Sequence, residues 1–357
     1  LMDYDGLRRE QQALRGRGLY RGIGVATFVE QTAVGATLYG PGDVPITTQD
    51  WCQLRIEPSG VVRCQIGCSD QGQGTLTGIA QIVAAALGLP FEAVTVTAGD
   101  SAGPQGGGAW ASRGLAIGGE AALAAARALR DNLLGLAAAV LQTTPSHLDI
   151  RDGVIVDAEG RRPRMTVAEL CTLAYFRQDL LPPNAAPDLA VTRHFTPRAH
   201  PYFVANGIQA CHLEIDIESG WIRLLKHWVV EDCGHVVNPQ LVDEQIRGGV
   251  VQGLGAALFE ECVYDEAGQL LTASLADYLV PMAAEMPDIL VEHVVTPQPG
   301  TELGIKGVGE AGTIGAAAAV WCAVNDALRP LGARVARQPF TPEVILEALT
   351  RAGSERN

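Results

Sequence analysis

The chain has 357 residues, 47% of them apolar, and a formal net charge of −14. That length and apolar share suit two domains of ordinary size with a substantial core. The acidic balance excludes a general binder of nucleic acid or of anionic membranes, because neither attracts an acidic surface. Eight cysteines, at 52, 64, 68, 171, 211, 233, 262 and 322, show no CxxC pair and no ferredoxin-like spacing. Spacing therefore signals neither a zinc site nor a cysteine-held cluster, and Cys64 and Cys68 are expected to pack as small apolar side chains. A reducing, cytoplasmic setting is the simplest expectation; a periplasmic one stays open because the first residue is Leu1.

Residues 1–50 read as an N-terminal arm: a charged opening, an apolar run from Ile23 to Val29 and a Pro/Gly-rich stretch from Gly40 to Pro45. From Trp51 the pattern turns regular. Alternation over Cys52–Glu57, a Pro58-Ser-Gly60 turn and a return over Val61–Ile66 predict a hairpin. Apolar residues at Leu76, Ile79, Ala80, Val83 and Leu87 predict a helix over Thr75–Leu87, stopped by Gly88 and Pro90. A short strand over Val94–Val96 leads into Gly99–Gly108, too rich in glycine for regular structure. The alanine-rich segment Ala116–Leu141 is the longest helix candidate. Short strands follow within Ser146–Val156, then a helix over Thr166–Phe176 that Thr166 and Glu169 can cap as a box. Leu180–Pro187, with three prolines, is the soft boundary. A strand pair over Gln209–Glu218 and Trp221–Glu231 precedes a helix over Pro239–Phe259. Further strands are expected at Cys262–Tyr264 and Ile289–Val295, and helices at Thr313–Leu331 and Pro342–Arg351. Strands and helices mix without a repeated unit, so the fold class is α+β (mixed α/β) in two lobes, 51–187 and 188–357, behind the arm 1–50. No uninterrupted apolar run reaches the roughly 18–20 residues of a membrane span.

Four segments concentrate the chemistry. Asp70-Gln-Gly-Gln-Gly74 lies between a strand and a helix, where glycines let backbone amides converge and the helix N-terminus favours negative charge; Gln71 and Gln73 add amides that both donate and accept. Gly99–Arg113 ends at the long helix, which Ser112 can cap while Arg113 faces an anion at its tip. In Asp232–Gly255, Asn238-Pro239 marks a helix start, and Gln245, Gly249 and Gln252 share one face; His235 is as readily a surface or core histidine as a functional one. Finally, Gly307-Val-Gly-Glu-Ala-Gly312 sets Glu310 among glycines before an apolar helix, a place where a carboxylate can be shielded and act as a base. One of the two lysines, Lys306, precedes it by four residues. The motif also satisfies GxGxxG, with Asp326 downstream, so a dinucleotide-binding turn is weighed; it fits poorly, because Pro297–Lys306 does not read as a buried parallel strand.

Taken together, DQGQGTLTGIAQIVAAALGLP, the loop from GDS to ASRG, DCGHVVNPQLVDEQIRGGVVQGLG and KGVGEAGTIGAAAA resemble, in order, the second half of the molybdopterin-binding large subunit of the molybdenum hydroxylases (xanthine dehydrogenase, aldehyde oxidoreductase, aerobic carbon monoxide dehydrogenase). The likeness runs from about Asp3 to Ala348. It implies that Gln71, Gly72, Gln73, Gly74, Ala111, Ser112 and Arg113 contact the pterin, that Gln245 lies near the molybdenum end, and that Glu310 is the catalytic base. It implies molybdenum held by the pterin dithiolene with no protein ligand, in a molybdopterin of mononucleotide or cytosine dinucleotide form. An aldehyde or N-heterocycle would be hydroxylated with water, and electrons would pass to 2Fe-2S and FAD groups on partner subunits. The family's first half is expected as a further partner, whether this chain is a split subunit or a fragment. Ala109 stands where the family often carries Thr, which removes one hydroxyl contact. Two other readings remain: a non-catalytic cofactor-binding or assembly subunit, and an NAD-dependent dehydrogenase.

Overall fold

The computed structural model describes residues 1–35, 46–183, 185 and 187–354; the Gly40–Pro45 stretch lies outside them. Helix α1 (Tyr4–Arg15) is capped by Asp3, which accepts from the Gly6 amide, and docks through Arg8 and the buried Gln11 onto Asp326. Strand β1 (Tyr20–Thr32) follows, longer than its apolar run predicts. The reason lies in its small residues. A Cβ on Gly22 or Gly24 would come within 1.8–1.9 Å of carbonyl oxygens of Ala323 and Ala319, so the strand accepts the backbone of a helix where hydrophobic alternation would be expected.

The predicted hairpin is β2 (Asp50–Ile56) and β3 (Val62–Ile66), and the next helix, α2, spans Thr75–Leu87. Then come β4 (Val94–Thr97), a π-helical turn over Gly114–Gly118 and the long α3 (Gly119–Leu141). A small sheet of β5 (Leu148–Arg151), β6 (Val154–Asp157) and β7 (Pro163–Thr166) leads to α4 (Val167–Phe176), whose expected Thr166/Glu169 capping box is present. Strand β8 (Ala190–Phe195) closes this part. Beyond it lie β9 (Phe203–Ile215), β10 (Ile222–Asp232), α5 (Pro239–Leu258), β11 (Asp288–His293), α6 (Ala311–Leu328) and α7 (Pro342–Ser354). The strand expected at Cys262–Tyr264 is absent; Tyr264 makes only an isolated bridge to Leu270.

One sheet has the order β4-β3-β2-β8, and α2 and α3 cover it around a core that includes Leu54, Ile79, Leu129 and Leu133. The other has the order β1-β9-β10-β11, with α6 against β1 and β9 and α5 against α6. These pairings depart from the expected division. The arm contributes β1 to the second sheet, in register from Tyr20↔Ile215 to Thr32↔Phe203. Conversely, β8 lies past the expected boundary at 187 yet pairs with β2 of the first lobe. Such partners are set by long-range register, which a local reading of prolines does not reveal. The stretch Ala311–Leu331 is long and apolar enough to cross a membrane; here Ala316, Ala319, Val320 and Ala323 bury it in the second core.

Candidate functional site

The four segments converge where the lobes meet, around a cavity of about 240 Å³. Gln71, Gln73 and Gly74 line it from before α2, Ala109 to Arg113 from the glycine loop, His235, Leu241 and Gln245 from α5 and its approach, and Lys306 to Glu310 from the loop before α6. Gly72 and Ala111 belong to these loops without lining the cavity. The walls are tied together: Asn238 caps α5 and donates from its amide to Gln81 of α2, and Glu120 of α3 accepts from the amides of Glu302 and Leu303.

The Asp70–Gly74 loop is closed on itself. Asp70 accepts from the amides of Gly72 and Leu76, and the Gln73 side chain accepts from the Gln71 amide at 2.6 Å. Gly72 and Gly74 hold φ of 97° and 82°, a left-handed backbone that glycine adopts without steric cost. Ala111 and Ser112 are also left-handed, at φ of 48° and 51°, each at a cost of about 1–2 kcal/mol. The Ala33 amide donates to Ala111 O and helps hold this turn.

Two expectations are corrected here. Ser112 does not cap the long helix, which starts seven residues later with Gly118 at its N-cap; its hydroxyl instead donates to Glu30. Arg113 does not present its charge to an anion at a helix tip. Its side chain is 0% exposed, paired with Asp50 at 2.8 Å and donating to the carbonyls of Thr47 and Gln49. The glycine loop wraps this pair so tightly that a Cβ on Gly107 would fall 1.5 Å from the guanidinium. Burial pushes the Asp50 carboxyl upward, while the Arg113 charge and the Gly107 amide pull it back.

The Gly307–Gly312 loop rests on the same turn. The Gly307 amide donates to Thr32 Oγ1, and a Cβ on Gly307 would meet Ser112 at 2.4 Å. Gln245 donates to Gly309 O at 2.9 Å, and Thr313 bonds to Gly249 O and Gln252, so the polar face of α5 does steady this loop. Gly312 packs directly on α5, where a Cβ would stand 2.3 Å from Ile246 O. The dinucleotide alternative fails on this geometry. Ile305 makes only an isolated bridge to Gly234 in place of a lead-in strand, and Asp326 is taken by Arg8, Gln11 and the Ile23 amide. Glu310 sits at the N-cap position of α6 on the rim of the cavity and is exposed, contrary to the expected shielding. The loop packs on Ser112, Thr32 and α5, and among its residues Glu310 is the exposed one.

Sequence reading missed Glu30. It is 5% exposed on β1, and burial together with the neighbouring Glu310 carboxylate raises its pKa to about 8. The available signal is a lone acid on a strand row otherwise made of Gly22, Gly24, Ala26 and Phe28. Lys306 is buried and pairs with Asp232 at 2.8 Å; burial opposes ionisation of Asp232, but Lys306, Thr296 and two amides hold its carboxyl low. Glu231, Cys233 and His293 bring possible ligand atoms within 4.8 Å of one another, a trio invisible to local spacing. Two of the three are already joined by a hydrogen bond, with His293 bridging Glu231 and Asp243. Burial alone favours the neutral His293 ring, yet the two carboxylates raise its pKa.

Mixed α/β lobes closing amide-bearing glycine loops and a carboxylate around one cavity have the build of a cofactor-binding protein. The molybdopterin cofactor-binding domain family matches residues 1–287, and the chain belongs to that family. It is 36% identical to the nicotine 6-hydroxylase large subunit of Paenarthrobacter nicotinovorans over 98% of this chain and 42% of that protein. Identity to the carbon monoxide dehydrogenase large chain of Hydrogenophaga pseudoflava is 32%, over 98% and 43%. The quinoline 2-oxidoreductase from Pseudomonas putida 86 superimposes with a TM-score of 0.88 at 38% identity, over 97% of this chain and 44% of that one. The chain thus spans less than half the length of these relatives.

The cavity fits a pterin by its donor set. Gln71 offers a whole side-chain amide, Gln73 its remaining N–H donors and Gln245 its amide oxygen, a mixed set of donors and acceptors that a heterocycle carrying ring nitrogens and carbonyls requires. A Cβ on Gly72 would meet nothing within 4 Å, so the backbone of this loop is open on its exposed side, beside the cavity.

Proposed function

We propose that this chain is the molybdopterin-binding part of an oxidoreductase that hydroxylates an aldehyde or N-heterocycle with water as the oxygen source. The observation that carries the reading is the meeting of all four segments on one cavity with Glu310 at its rim. When bound, the cofactor supplies a Lewis acid and an acceptor for two electrons. Gln71, Gly72, Gln73 and Gly74 bind it through side-chain amides and open backbone, and the turn at Ala111, Ser112 and Arg113 offers backbone only, since the Arg113 guanidinium is committed to Asp50. Gln245 orients the base loop through Gly309 O. Glu310 accepts a proton on its carboxylate. The names of the nicotine and quinoline enzymes favour an N-heterocycle as substrate.

The cytosine dinucleotide form of the cofactor, 2Fe-2S and FAD on partner chains, and a further part of the large subunit that covers Glu310 belong to the same proposal. So does a cytoplasmic setting, which the free cysteines support. The test is Glu310→Gln in the assembled enzyme. Turnover is expected to fall by a factor of about 10²–10⁴, with molybdenum and pterin content unchanged. Near-parental turnover rejects the base, and a parent complex that holds the cofactor without reducing a dye acceptor supports a non-catalytic subunit.

A further inference from the structure

The face of β1 that meets α6 runs Gly22, Gly24, Ala26, Phe28, Glu30, and brings Glu30 to the beginning of that helix. Its Oε1 accepts from Ser112 Oγ at 3.3 Å, and its Oε2 is buried without a partner. Ser112, bonded to Glu30, also lies against Gly309, where a Cβ would stand 2.9 Å from its Oγ, so the loop that carries Glu310 sits beside Glu30; the charged groups acting on Glu30 are both carboxylates, Glu310 from that loop and Glu231 from β10. Register explains the second, because Glu30 pairs with Ala205 and Glu231 with Gly207, two residues along the same face of β9. Glu231 is itself bonded to His293 at 2.5 Å. Among the described residues no Lys, Arg or His side chain forms an ion pair with Glu30. A buried carboxylate flanked by two others and by no cation holds its proton.

We propose that Glu30 is a positioning residue for the base: a buried carboxylic acid whose O–H donates to a carboxylate oxygen of Glu310 and fixes its orientation. The inference rests on Glu310 being the base. Glu30 keeps its proton throughout, and the proton taken up in turnover goes to Glu310 alone. A carboxyl kept neutral at pH 7 by its surroundings can serve as a hydrogen-bond donor in this way. Desolvation, then Glu310, raise the Glu30 pKa to about 8, with Ser112 opposing. Above that value the donor is lost and a second negative charge enters the pair, so turnover declines on the alkaline side.

The holoenzyme containing this chain is compared with its Glu30→Gln and Glu30→Leu variants. Gln keeps the shape and an N–H donor but cannot titrate; kcat at pH 7 should stay within about threefold of the parent, and the alkaline decline near pH 8 should vanish. Leu removes the donor, and kcat should fall about tenfold or more with KM little changed. A decline that persists in Glu30→Gln, or equal losses in both variants, overturns the proposal, because a merely structural role leaves the pH profile unmoved. An infrared C=O band of a protonated carboxyl, present at pH 7 and missing in Glu30→Gln, reads the pair without turnover. In Glu310→Gln that band should titrate at lower pH, since the neighbouring charge is gone. An unmoved band overturns the pairing even where Glu310→Gln is inactive. A shifted band in a still active Glu310→Gln rejects the base reading and leaves the pairing in place.

Discussion

Two glycine-rich loops face each other across the cavity, and their glycines serve opposite ends. In Asp70–Gly74, Gly72 is left-handed and has nothing in front of it. In Gly307–Gly312, the glycines are pressed against Ser112 and Ile246 with no space left. Gly72 leaves the first loop's backbone open, although Gly74 already packs against Leu241, where a Cβ would come within 2.7 Å. The glycines of the second loop let two parts of the chain itself approach. That close packing adds to the missing lead-in strand and the engaged Asp326 in ruling out a dinucleotide reading of the second loop, although its spacing matches.

Three substitutions break or sharpen this contrast. The largest effect is expected from Arg113→Met, which leaves Asp50 buried without its cation; truncating one member of a buried pair costs about 3–5 kcal/mol, measurable by urea unfolding. A variant that lost pterin but kept its stability would return Arg113 to the ligand. Gly312→Ala comes next. Its Cβ would stand 2.3 Å from Ile246 O, so α5 and α6 must part, at about 1–3 kcal/mol or more, visible as a lower thermal midpoint with or without cofactor. Smallest in stability is Gly72→Ala, which meets no atom and pays only for its left-handed backbone, about 1–2 kcal/mol. Its main effect should appear in pterin content per chain, and retention at the parental level would show that this loop does not approach the ligand.

Local signals were readable wherever a residue's partner lies nearby in sequence. Gly88 and Pro90 end α2 after Leu87, and Thr166 and Glu169 cap α4, because stops and capping boxes act within a turn or two. Glu310 stood out by its glycine context, but its exposure did not, since that depends on what lies above the loop. β1 and β8 were misassigned because strand partners about 135–195 residues away are set by register. Glu30 was missed for the same reason: the alignment of β1, β9 and β10 sets it beside Glu231, and the packing of the loop before α6 on Ser112 adds Glu310.

The path of the chain between the lobes carries a last consequence. It leaves the second sheet at Thr32 and returns at Phe203, and those residues are register partners; it joins the first sheet at Asp50 and quits it at Phe195, partners again. The first lobe is therefore an insertion with both ends clasped, and a short closure of this kind costs its host little chain entropy. A turn joining residues 32 and 203 would let the host sheet fold as a free-standing unit, and the excised lobe, its own termini side by side, is a natural candidate for transplantation.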